Sequence, residues 1–508
     1  DSRWRPYIKK AIEDWQPALE SAGFKNAIIA KDEPVNDSAF SFHDMSVSYV
    51  LWHPLRDSAD RSTGAGRVDY IIDESTGEIL KVIVSIGENA LRREMYWYFT
   101  QCSPLDTRAW QYPMPDELAG ELLRSIVAHE TGHALGLTDG HYGRFSYPVD
   151  SLRSQTWVKK MSHTPSVMNY TRHNYVAQPQ DKIEPRYLVQ RVGIADIFNI
   201  RCGYTPIPES RVAEEELPVI TSWLKIQESD PLYVFLPFDF PGMGPYTSDA
   251  MDDTDPVKSS RYGLANLRRV MSLLSGNKLK FSDTLDYADL YNETLEQRSR
   301  SLERVIDLIG GNTIRYKTPE SSSIVFTPIP ANQQREAMKY LDTAAFATPE
   351  WVVKAPVTAR FASERSYNKI KEVQGNLLKR LLLDRRLNFI EKQQLEAEKG
   401  QHVYTVKEVL NDIKQIVWKE LYQNEPSIDS FRQSIQTTYL LQMKDLISPE
   451  RTKKIICEQV VSLCQADIED LNKLFIGKLS KIKDQKTKEH IHTSIDIIEE
   501  IKNKIAVK

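Results

Sequence analysis

The stretch HETGHALGLTDGH, residues 129 to 141, constrains this chain more than any other. Its spacing suits an α-helix that ends in an abrupt turn. Residues four apart share one helix face, so His129 and His133 present two imidazoles to a common point. Glu130 follows the first of them, about 100° around the helix, where its carboxylate can reach a metal-bound water without binding the metal. Gly136 lets the helix stop and the chain turn through φ > 0, so a residue beyond it can return as a third ligand. Asp139 and His141 both qualify, because they face the same way in an extended segment. The preceding PDELAGELLRSIVA supplies the helix. Pro115 and Asp116 mark its start, and Ala119, Leu122, Leu123 and Ile126 form its buried stripe.

With 10 His and 21 Gly in 508 residues, H-E-x-x-H-x-x-G is expected by accident on the order of once in a thousand such chains or more rarely. A divalent metal site, with Glu130 as general base, therefore outranks a helix whose histidines only pack or meet solvent.

A second motif, HTPSVMNY (163 to 170), follows downstream. HETGHALGLTD followed by SVMNY resembles a metzincin zinc peptidase with Met168 in the Met-turn. More narrowly, YPVDSLRS (147 to 154), HTPSVMNY and NYVAQPQD (174 to 181) resemble the bacterial Met-zincin family of large extracytoplasmic zinc-dependent peptidases. The stretches AIEDWQPALESAGFKNAI, IIDESTGEIL, SSRYGLANLRRVM, QQREAM and TPEW are similar to the same family, so the resemblance runs with gaps from residue 4 to residue 352. It implies one Zn²⁺, a glutamate base at Glu130, a methionine floor at Met168, cleavage of peptide bonds and a periplasmic or cell-surface location. The family usually has His where Asp139 stands; other metzincin-like peptidases use Asp there, and the slot favours Asp139 over His141. Tyr170 matches a tyrosine that in some metzincins contacts zinc or the oxyanion, and a core tyrosine fits that position equally well.

At 41% hydrophobic and 27% charged, with a formal net charge of -4, the composition is that of a globular protein with no bias toward nucleic acid. Four cysteines make no disulfide framework, and Cys102 and Cys202 can pair only if the fold joins them. No apolar run is long enough to span a bilayer. The chain shows no signal-peptide pattern at its start, and any leader is expected upstream of residue 1.

These features predict an α+β fold in three parts. Residues 1–205 form a metzincin-like domain, 206–255 an irregular segment rich in proline and aromatics that wraps it, and 256–508 a mainly helical region. RPYIKKAIEDWQPALESAGF reads as a helix with a kink at Pro17, KNAIIA and VSYVLWHPL as strands, and VDYIIDESTGEILKVIVSIG as a hairpin. ILKVIVSIG (79 to 87) is the expected edge strand for an extended substrate. A further hairpin is expected in TIRYKTPESSSIVFTPI. The acidic stretch DAMDDTDP (249 to 256) caps the following helix, with Ca²⁺ as the weaker alternative. The leading function is a zinc endopeptidase acting on protein or peptide substrates. Its rivals are a non-catalytic envelope scaffold and a zinc hydrolase of non-peptide amides.

Overall fold

The computed structural model describes residues 1–34, 40–55, 64–140, 147–169, 171–210, 212–235, 244, 253–281, 283–314, 326–360, 364–448 and 458–506. These fall into two compact units. One contains the described residues of Asp1–Phe240 and Asp249–Gln297; the other contains those of Pro241–Ser248, Arg298–Ile314 and Phe326–Lys508.

In the first unit the opening helix is broken rather than bent, into α1 (Arg5–Glu13) and α2 (Gln16–Ser21). Pro17 lies in the first turn of α2, where a missing N–H costs nothing, so the chain restarts a helix there. Trp15 sits at the break, fully buried, and its indole Nε1 donates to the carbonyl of Ala128 at 2.8 Å. That contact joins α1 and α2 to the helix carrying the histidines, α4 (Asp116–Ala134). Leu118, Ala119, Leu122, Leu123, Ile126 and Val127 of α4 are buried. Each large aliphatic side chain contributes about 1.5–3 kcal/mol to the packing.

Strands β1 (Tyr49–His53), β2 (Arg67–Ile72) and β3 (Ile79–Gly87) form one sheet in the order β1-β3-β2. The β2–β3 hairpin is antiparallel and closes over Asp73–Glu78, with Gly77 at φ 76°. β1 joins β3 in parallel. ILKVIVSIG is therefore the central strand and not the expected edge, because its backbone groups are engaged on both sides. The open edge nearer α4 belongs to β2, whose Tyr70 hydroxyl donates to the His133 carbonyl at 2.8 Å. KNAIIA forms no strand. Its apolar residues resemble a strand locally, yet among the described residues no strand pairs with them.

From β3 the chain enters α3 (Glu88–Cys102), which packs on α4. Beyond α4 come α5 (Gln155–Met161) and α6 (Ile194–Tyr204). Between 206 and 255, where irregular chain was expected, α7 (Ala213–Leu224) is regular helix with three glutamates in its first turn, the favourable end of the helix dipole. Asp255 caps the helix Pro256–Ser275, accepting from the Lys258 N–H at 2.9 Å. Asp249 and Asp252 lie outside the described residues. Cys102 and Cys202 are both free thiols.

The second unit is a bundle of helices, with one short antiparallel pair, Asn312–Ile314 with Phe326–Pro328, at the expected hairpin. Ion pairs on buried carboxylates tie it together: Arg386 and Arg380 hold Asp307 at 2.8 and 2.7 Å, and Arg432 holds Glu420 at 2.5 Å.

Candidate metal centre

α4 ends as its glycine suggests. Gly136 has φ 86°, its N–H reaches the His133 carbonyl at 2.7 Å, and the Leu137 N–H reaches the Gly132 carbonyl at 3.0 Å. This Schellman closure turns the chain back on the last helical turn. The returning segment pairs with the Met-turn, where Gly140 bridges Asn169 and its N–H donates to the Met168 carbonyl at 3.2 Å.

The turn brings Asp139 to the two histidines. Its Oδ1 lies 3.3 Å from His129 Nε2 and 3.4 Å from His133 Nε2. Each ring uses its other nitrogen on a backbone carbonyl: His129 Nδ1 on Val167 and His133 Nδ1 on Leu137, both at 2.8 Å. A carbonyl accepts only from an N–H, so each Nδ1 carries a proton and each Nε2 is the atom left to face Asp139. Asp139 Oδ1 is buried and has no hydrogen-bond partner. Three side-chain atoms that can each ligate a metal thus converge, an arrangement that a cation satisfies. A tetrahedral zinc with bonds of about 2.0–2.1 Å would hold its ligands roughly 3.3–3.4 Å apart; the two Asp139–histidine separations match that, and all three ligand atoms lie within 4.8 Å of one another. Among the described residues this is the one group of three His, Cys, Asp or Glu side chains able to share an ion.

Although burial works against it, His129 and His133 hold the Asp139 carboxyl well below the usual carboxylate range. Glu130 is buried, and burial raises its carboxyl above the ordinary value, Asp139 adding to the rise while His129, His133 and Arg93 oppose it. Elevation of this kind suits a group that must take up a proton and later release it.

Met168 packs against α4 at Gly132. It is buried, and its Sδ lies 2.2 Å from where a side chain on Gly132 would begin, with Trp15 Cζ2 at 2.7 Å from the same point. The variable position before His133 must therefore be glycine for the methionine and Trp15 to approach the helix. His141 and Tyr170 lie outside the described residues.

Three contributors escaped the sequence reading. Asp196, the third residue of α6, accepts from Ser166 Oγ at 2.5 Å, from Val167 N–H at 2.8 Å and from Gly193 N–H at 2.7 Å. It anchors the Met-turn, and since the Val167 carbonyl receives His129 Nδ1, it also orients a candidate ligand. An Asp at that helix position after Gly193 was the available signal. Gly66, just before β2, lies against Glu130: a Cβ there would fall 2.1 Å from Oε1. Tyr70 lies near Glu130 and Asp139, and burial first, then their charges, raise its phenol. Nothing local in the sequence marks either residue.

Residues 111–425, more than half the chain, match the family model described as Met-zincin. The chain belongs to the Met-zincin family, and with it to the general class of zinc-dependent metallopeptidases. Neither a curated protein nor a solved structure matches it.

Proposed function

We propose that this protein is a zinc endopeptidase that hydrolyses peptide bonds, with His129, His133 and Asp139 as metal ligands and Glu130 as general base. The observation that carries this reading is the partnerless Asp139 Oδ1 within 3.4 Å of both inward-turned imidazoles, with Glu130 on the adjoining face of the same helix. Zinc held there would acidify a water and polarise a carbonyl oxygen. Glu130 takes a proton from the attacking water on its carboxylate and passes it to the amide nitrogen as the bond breaks. The His129 and His133 side chains are oriented by the Val167 and Leu137 carbonyls. An extended substrate pairs along the open edge of β2, beside Tyr70. Tyr170, two residues past Met168, is assigned to hydrogen-bond the developing oxyanion. We assign hydrolysis to residues 1–205, a flanking role to 206–255, a supporting helical role to 256–508, and an extracytoplasmic location to the whole. Among the described residues no helix is long and apolar enough to cross a membrane.

The test is cleavage of an unbiased peptide library by zinc-loaded protein, with and without a chelator. Chelator-sensitive cleavage is expected, and Glu130→Gln should retain zinc while kcat falls by several orders of magnitude. A folded, zinc-loaded wild type that cuts nothing would overturn the reading.

A further inference from the structure

α3 runs beside the candidate active site, and one of its faces carries Asn89, Arg93 and Trp97 at successive spacings of four. That face looks toward the loop entering β2. A side chain on Gly64 would begin 2.6 Å from Asn89 Nδ2, and one on Gly66 would begin 2.1 Å from Glu130 Oε1. The two glycines thus fill the narrow space between the first turn of α3 and the candidate base. Arg93 stands one turn further along α3.

Arg93 is half-buried, and its Nε has no hydrogen-bond partner. Among the described residues it forms no ion pair. The nearest acid in sequence, Glu94, is engaged elsewhere, 3.2 Å from His173 Nε2. The Arg93 guanidinium rests 4.8 Å from the centre of the Trp97 ring, and Arg172, three residues past Asn169, packs on the same ring at 3.6 Å. Trp97 is itself buried. Its ring holds both guanidinium groups in place by ring-face attraction.

Glu130 and Glu94 lie within electrostatic reach of Arg93, yet neither pairs with it directly, and a partly desolvated guanidinium keeps its hydrogen-bonding capacity for a carboxylate that can approach it. We propose that Arg93, flanked by Arg172, binds a carboxylate of the peptide substrate next to the scissile bond, so that the enzyme selects anionic substrates. Guanidinium and carboxylate match as a planar, bidentate pair, and a lysine reproduces only the charge. The carboxylate comes from an acidic side chain or from a free C-terminus. This selectivity rests on the peptidase assignment above; carboxylate binding by Arg93 does not.

The experiment uses the full chain loaded with zinc and one cleavable peptide framework. Glu is scanned through the positions flanking the cut, each Glu peptide is compared with its Gln counterpart, and each is made as C-terminal acid and amide. kcat/KM is measured on the wild type and Kd on Glu130→Gln, which leaves the peptides whole. At one position or at the C-terminus the carboxylate form should be favoured at least about tenfold in both readouts. Glu over Gln identifies a side chain, and acid over amide identifies a terminus. Arg93→Gln should bring that ratio to within about twofold, and Arg93→Lys should retain part of it. Equal treatment of every pair by the wild type overturns the proposal. So does an unchanged ratio in Arg93→Gln, which would leave Arg93 a charge that only offsets Glu130. If the wild type cuts nothing while the Arg93-dependent difference in Kd persists, the carboxylate site stands and the peptidase assignment falls.

Discussion

Gly66→Ala is the most direct probe of how the fold holds the candidate base. The new methyl would lie 2.1 Å from Oε1, 2.3 Å from Cδ and 2.7 Å from Cγ of Glu130. Non-bonded carbon contacts settle at about 3.5–4.0 Å, so the side chain must swing by more than about 1 Å from Cγ outward. A misplacement of about 1 Å in a reacting group costs roughly 100-fold in rate, and kcat should fall by about that factor. Stability should change little. Gly66 has no positive φ, and replacing glycine at a compatible position gains about 0.4–1 kcal/mol through the unfolded chain, which offsets part of the repacking. Zinc content should be unchanged, because no candidate ligand moves. The assay is kcat on a cleaved library peptide, with metal analysis and thermal unfolding on the same samples. Gly64→Ala serves as control: its methyl would press on Asn89 at 2.6 Å and not on Glu130. A wild-type kcat in Gly66→Ala, or an equal loss in Gly64→Ala, would refute the reasoning.

Asp139→Ala should empty the zinc site and His141→Ala should leave it filled, read by metal analysis after gel filtration; the opposite result transfers the third ligand to His141. Gly132→Ala should lower stability by about 1–3 kcal/mol by driving Met168 and Trp15 off α4, measured by denaturant unfolding. Asp196→Asn should loosen zinc by about 10- to 100-fold through Val167 and His129, measured by competition with a chromogenic chelator. Burial pushes the Asp196 carboxyl up to about 6, although Ser166, Gly193 and Val167 donate to it. Because the folded pKa lies above the unfolded one, its stabilising contribution is complete below about pH 4 and is lost as pH rises through about 6. In chelator-treated protein this falling component should be present in the wild type and missing in Asp196→Asn.

What the sequence determined by itself is what depends on neighbours along the chain. The spacing of His129, Glu130 and His133, the stripe Ala119, Leu122, Leu123 and Ile126, the turn at Gly136 and the β2–β3 hairpin all follow from helical period, strand alternation and glycine's freedom at φ > 0. The SVMNY stretch was legible through resemblance, and the return of Asp139 was narrowed to one of two residues. Tertiary structure decided the rest, because it depends on which distant segments meet. β3 alternates as an edge strand would, and only the parallel arrival of β1 makes it central. KNAIIA has strand-like composition but no partner, and a strand exists only when its backbone groups are paired. Gly66 beside Glu130, Asp196 beneath Val167 and Arg172 over the Trp97 ring have no signature in local spacing, since each acts through a residue that folding alone brings near.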